Sequence, residues 1–134
     1  MSENNNITTM QQLYAAFGQG DINAILANVT DDCDWGTATV AQEIPWYRIR
    51  QGRDGVADFF QTLATEVDFQ KFEPNLYAAT GDDVLVRVDY TYQMKKNGNV
   101  APSTGIHQFT FRDGKVARFR AYEDTALVRA AYNG

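Results

Sequence analysis

The sequence predicts an α+β domain in which three N-terminal helices pack on a curved, mainly antiparallel sheet that closes into a cone-shaped barrel. Three observations carry this. Apolar residues recur at three- and four-residue spacing in the first half, the period changes to two from Phe69 onward, and turn signals at Asn97-Gly98 and Asp113-Gly114 divide the second half into strands. Helices that precede a run of strands segregate to one face of an antiparallel sheet. A strongly twisted sheet of this size curls, and helices cover the resulting hollow without filling it. The whole chain, 1–134, is read as one domain, because 134 residues suit a single core.

Each element follows from its local pattern. Over residues 7–17, Met10, Leu13, Tyr14 and Phe17 share a helical face, with Thr8 or Thr9 as N-cap and Gly18 to Gly20 as terminator. Asp21 caps a second, shorter helix carrying Ile22, Ile25, Leu26 and Val29, and Thr30-Asp31-Asp32 reads as its breaker. Cys33 to Trp35 begins a short strand. Residues 36–50 contain Pro45, Trp46 and Tyr47 without a period and read as a long connection across the surface or a pocket mouth. Asp54 then caps a third helix whose stripe is Val56, Phe59, Phe60, Leu63 and Val67. Strands follow over 69–80, 84–94, 105–111 and 116–123, the second alternating Val84, Val86, Val88, Tyr90 and Tyr92 against Arg87, Asp89, Thr91 and Gln93. Asn97-Gly98 predicts a type I′ hairpin, since both central residues need positive φ. Residues 125–132 predict a last helical turn or two over the sheet edge.

Composition narrows the function. A net charge of -5 and a pI of about 4.7 oppose binding to nucleic acid or an anionic membrane, which need clustered Lys and Arg. The basic stretch from Arg112 to Arg120 alternates with apolar residues and reads as a solvated strand face. Cys33 is the only cysteine, so no intramolecular disulfide forms and a reducing, cytoplasmic setting is expected. No run approaches the ~20 apolar residues of a membrane span. One His and one Cys leave no metal-ligand spacing, and Gly52-Arg-Asp-Gly55 lacks the glycines and lysine of a phosphate loop. Neither a metal nor a nucleotide or organic cofactor is expected.

Four segments together resemble the SnoaL-like branch of the ketosteroid isomerase and nuclear transport factor 2-like superfamily, over nearly the whole chain. They are Tyr14-Ala-Ala-Phe-Gly-Gln-Gly-Asp21, Pro45-Trp46 with Gly52-Arg-Asp-Gly-Val-Ala-Asp-Phe-Phe60, His107-Gln-Phe-Thr-Phe-Arg-Asp-Gly114, and Phe119-Arg-Ala-Tyr-Glu-Asp-Thr125. The resemblance implies the cone fold. It leaves the chemistry open, because the superfamily includes isomerases, cyclases, epoxide hydrolases, dehydratases and non-catalytic binders. Position by position, the general-base aspartate of ketosteroid isomerase corresponds to Thr37. Its oxyanion tyrosine corresponds to Leu13, with Tyr14 one residue away, and its protonated aspartate to His107. The last-strand aspartate of SnoaL-type cyclases and limonene epoxide hydrolase corresponds to Ala121. The Arg-x-Asp pair of that hydrolase is reproduced by Arg87-Val88-Asp89.

The candidate catalytic residues are therefore His107, Asp89 and Glu123. His107 titrates near neutrality and can donate, accept or shuttle a proton; the alternative is a hydrogen-bonded core histidine. Asp89 shares a strand face with Arg87, which is either a charged catalytic pair or a solvated outer face if the valine and tyrosine face lines the cone. Glu123 shares the Phe119-Ala121 face and could replace the missing carboxylate from the rim, where burial would raise its pKa; a surface or capping charge is the plainer reading. Tyr14, Phe17, Trp35, Trp46, Tyr47, Phe59, Phe109 and Phe119 are the expected ligand-binding walls, although such aromatics also simply fill cores. The expected ligand is a small apolar or partly polar metabolite, acted on by a cofactor-independent isomerase, lyase or hydrolase or held by a non-catalytic binder. A homodimer through the sheet is the expected assembly, and a pure interaction module the third possibility.

Overall fold

The computed structural model describes residues 2–38 and 43–134. Helix α1 (Glu3–Gly18) starts ahead of Thr8 and Thr9, because the Ser2 hydroxyl accepts the Asn5 N–H at 3.1 Å and satisfies a donor that a helix start leaves open. Helix α2 (Ile22–Leu26) is capped by Asp21 as the sequence predicts, through the Ala24 N–H at 3.2 Å. Strand β1 (Val29–Thr37) already includes Val29 and Thr30-Asp31-Asp32, read above as the end of the second helix and its breaker, rather than beginning at Cys33. The acidic pair is tolerated because both side chains are exposed and paired, Asp31 with Arg53 and Asp32 with Arg112, while Cys33 and Trp35 enter the core.

A turn of 3-10 helix (Pro45–Tyr47) and strand β2 (Arg50–Gln51) occupy part of the expected 36–50 connection, of which 39–42 lie outside the described residues. Trp46 and Tyr47 are fully buried and form no exposed lid. Helix α3 (Gly52–Glu66) begins at Gly52 and not at Asp54. Gly52 takes φ +76, with the Asp31 carbonyl 3.2 Å from where a Cβ would stand, and Asp54 complements the helix dipole from within the first turn.

Four long strands follow: β3 (Val67–Thr80), β4 (Asp83–Met94), β5 (Val100–Arg112) and β6 (Lys115–Tyr122), then helix α4 (Thr125–Asn133). The sheet order is β2-β1-β6-β5-β4-β3, with β1 parallel to β6 and every other pairing antiparallel. At Asp113-Gly114 both residues have positive φ, 54° and 81°, the type I′ requirement. At Asn97-Gly98 only Gly98 does, because the loop is wider: the Met94 N–H donates to the Asn99 carbonyl and the Gly98 N–H to the Met94 carbonyl, each at 2.8 Å. The Asn97 amide is used instead to tie α4 down, donating to the Ala131 and Tyr132 carbonyls.

The pleat of β4 settles which face lines the cone. Val84, Val86, Val88, Tyr90 and Tyr92 are buried under the helices, while Leu85, Arg87 and Asp89 lie on the opposite side. On β6 the basic stretch is not wholly solvated: Arg120 is buried and donates to the Asp34 carboxylate at 2.8 Å. Among the described residues no helix is long and apolar enough to cross a membrane.

Candidate functional site

Two rows of paired residues cross the inner face of the sheet. Thr37 on β1 pairs with Ala121 on β6, Ala121 with His107 on β5, and His107 with Val86 on β4. One same-face step along, Trp35, Phe119, Phe109 and Val84 are aligned in the same way. These rows floor a cavity that α1 and α3 roof. Tyr14 and Phe17 enter from α1, Phe59 from α3 and Trp46 from the 3-10 turn, so seven of the eight expected wall residues line it: Tyr14, Phe17, Trp35, Trp46, Phe59, Phe109 and Phe119. The rings pack closely, Trp35 on Phe119 at 4.5 Å and Phe109 on Phe119 at 5.0 Å between centroids. They leave about 80 Å³ of free interior space.

His107 lines this space. Its Nδ1 lies 2.7 Å from the Tyr14 hydroxyl, a contact between residues 93 positions apart that depends on how α1 seats on the sheet. Burial pushes the imidazole down to about 4, so the ring is neutral at pH 7, and burial likewise pushes the Tyr14 phenol up. A neutral imidazole and a phenol own one N–H and one O–H, and their mutual bond consumes one of them. If Tyr14 donates to Nδ1, Nε2–H is the free donor. If Nδ1–H donates to Tyr14, the phenol O–H is free and Nε2 is an available base. Both tautomers leave one proton to give. Tyr14, one residue from the Leu13 position that the resemblance pointed to, sets a phenol in the cavity beside His107.

The second polar station is Glu123. The Tyr47 hydroxyl donates to its Oε2 at 2.5 Å and the Tyr92 hydroxyl to its Oε1 at 3.2 Å. Burial raises its carboxyl above the ordinary range, and the tyrosine donors pull it part of the way back. Tyr47 thus reaches the site through Glu123 rather than as a wall of the cavity. Gly105 makes room for the arrangement. A Cβ there would stand 3.0 Å from the Tyr122 carbonyl, 3.2 Å from the Tyr90 ring and 3.4 Å from the Glu123 Cβ. Thr37, Ala121 and Glu123 also line an open outer cleft with Thr104, Gly105 and Thr125, so these three residues separate inside from outside.

Asp89 is not part of this site. Its carboxylate lies on the outer face, accepts from Asn75 Nδ2 and Thr104 Oγ1 at 2.6 Å each, and is 3.5 Å from Arg87; the Thr104 bond leads in holding it below the usual carboxylate range. The Arg-x-Asp pair exists, but the pleat turns it away from the cavity. The sequence reading put Tyr90 and Tyr92 on the face turned toward the core or the cone but not among the ligand-binding residues. Both line the cavity beside Glu123, and among the described residues the Trp35 and Trp46 indole N–H groups and the Tyr90 hydroxyl make no hydrogen bond of good geometry. The alternation of β4 was the signal for their direction; nothing local signals their meeting with Glu123. Among the described residues, no three His, Cys, Asp or Glu side chains gather as a metal site.

Residues 10–119 match the sequence profile of the SnoaL-like domain. A comparison with curated proteins finds no match. Among solved structures, the chain is similar to an NTF2-like protein from Burkholderia xenovorans LB400, at 28% identity over 99% of both chains and a TM-score of 0.89. It is similar to an NTF2-like protein from Burkholderia pseudomallei K96243, at 23% identity over 100% of each chain and a TM-score of 0.88. TerC, co-crystallised with polyporic acid, matches at 24% identity over 97% of this chain and 99% of that one, with a TM-score of 0.85.

Proposed function

This chain belongs to the SnoaL-like domain family, and from that premise we propose that it takes a small, mainly apolar carbonyl or enol compound into the cone and moves a proton on it without a cofactor, in an isomerase- or lyase-type reaction. The observation that carries this is the 2.7 Å pair of Tyr14 and His107, a neutral donor and base set into an apolar cavity. A hydrogen bond from such a pair to a substrate oxygen strengthens as negative charge develops there, because the surroundings are poor in water and the donor is already oriented. Glu123 holds the polar far end of the molecule. The same reading places the protein in the cytoplasm and sets a second copy of the chain against the outer sheet face.

Proton exchange in D2O tests it. Acetophenone, 1-indanone and 2-tetralone, followed by NMR, should exchange the protons α to the carbonyl about 10²- to 10⁴-fold faster with protein than without. His107→Gln and Tyr14→Phe should remove that acceleration while binding persists. Ketones that bind with no faster exchange would favour a second reading, a non-catalytic binder of such molecules. Thr37 and Ala121 speak for that alternative, since they stand where relatives of this fold carry carboxylates.

A further inference from the structure

Among the described residues neither the cavity nor the adjoining cleft is lined by a Lys or Arg, and Glu123 lines both. Among the described residues this carboxylate has no ion-pair partner; its two hydrogen bonds come from the uncharged phenols of Tyr47 and Tyr92. Aromatic rings crowd this end of the cavity: Trp46 is edge-on to Tyr92 at 5.8 Å and to Tyr47 at 5.9 Å, and Tyr90 lies 4.7 Å from Tyr92. Tyr90 is 2% exposed and lines the cavity, and its hydroxyl stands close enough to the Glu123 carboxylate to influence it, although among the described residues it makes no hydrogen bond of good geometry. A carboxylate removed from bulk water with no cation to offset it is costly, and the side chains around it supply none. Aromatic faces beside an acid are the surroundings in which an organic ammonium is favoured over a neutral group.

We infer that the molecule bound in the cone carries an ammonium group, seated between Glu123, the Tyr90 hydroxyl and the aromatic faces of Trp46 and Tyr92. This rests on the pocket reading above and adds the substrate class: a small aromatic or cyclic amine with its carbonyl or enol oxygen at the Tyr14–His107 end. Each ammonium N–H has an acceptor to meet, in the free lone pairs of the Glu123 carboxylate and in the Tyr90 oxygen, which keeps its lone pairs when its own O–H donates. The net charge of -5 favours approach of a cation over that of an anion.

Three probes of one shape separate the possibilities by calorimetry at pH 7.5: phenethylamine as the cation, 2-phenylethanol as the neutral analogue and phenylacetate as the anion. Phenethylamine should bind at least about tenfold more tightly than 2-phenylethanol, and phenylacetate more weakly than both. Glu123→Gln should erase the preference for the amine while leaving 2-phenylethanol affinity within about twofold. Tyr90→Phe, which keeps the ring and the carboxylate, should reduce the preference and offers a second route if Glu123→Gln does not fold. Equal or tighter binding of 2-phenylethanol overturns the ammonium assignment but leaves the pocket reading intact, as does a preference that survives Glu123→Gln. Binding of none of the three overturns both.

Discussion

His107 stays uncharged because its ring is enclosed by aromatic side chains that cannot stabilise a cation as water does, and its one hydrogen bond goes to a phenol. That has a measurable consequence for stability. In the unfolded chain the imidazole titrates near 6.5, and in the folded protein near 4, so between those values the unfolded chain holds more protons. The stabilising contribution is full above about pH 6.5 and is lost as pH falls toward 4, by up to about 3 kcal/mol, less to the extent that water enters the cavity. Glu123 acts with the opposite sign. Its raised carboxyl favours the folded state at low pH, and this is lost as pH rises through its folded pKa. Urea unfolding of wild type and His107→Gln at pH 7 and pH 4.5 isolates the histidine part: the loss on acidification should be smaller in the variant by about 1–3 kcal/mol. Equal losses in the two proteins would mean that the ring is solvated.

At the scale of elements, the site depends on β5 passing close under Tyr90 and the end of β6, and Gly105 is what permits it. Gly105→Ala should cost about 1–3 kcal/mol in chemical denaturation, because the new methyl meets a backbone carbonyl that cannot rotate aside. It should also weaken ligand binding more than alanine substitutions on the outer face do, since the displaced groups are Tyr90 and Glu123. The elements themselves were largely legible. Alternation on β4 gave both its extent and the direction of its valines, and Asp113-Gly114 gave its turn, because those signals are local. The Asn97-Gly98 turn type was misread, since the Asn97 side chain serves α4, an element outside the hairpin. Thr30-Asp31-Asp32 misled for the same reason: Arg53 and Arg112, which make those aspartates tolerable in a strand, come from α3 and β5. The site was legible as a list of wall residues and opaque as a set of partnerships. Tyr14 with His107, and Tyr47 and Tyr92 with Glu123, arise only when α1 and the 3-10 turn settle on the sheet.

For the whole molecule, the unexplained surface is the outer side of the sheet. Leu76, Arg87, Ile106 and Tyr122 align in one row across β3, β4, β5 and β6, and the three uncharged ones remain 61%, 39% and 45% exposed. Large apolar side chains gathered at the centre of a sheet are the kind of patch that another protein surface covers, and Arg87 beside Asp89 gives the patch both charges, so two copies related by a two-fold axis can complement each other. If they do, sedimentation velocity should find a dimer at micromolar concentration, and Ile106→Glu should convert it to a monomer with the cavity's binding intact. A wild type that sediments as a monomer at every concentration would remove that assembly.

The row Thr37, Ala121, His107 has a consequence for how such a protein changes over generations. Neighbouring strands hold these three side chains abreast on one inner surface, and Ala121, between the other two, is small and uncharged. A single codon change to aspartate at position 121 would set an acid next to His107 with the backbone ladder untouched. The barrel can thus gain or shed a reactive group as a lock takes a new pin, which is how one scaffold can serve both as a container and as a reaction vessel.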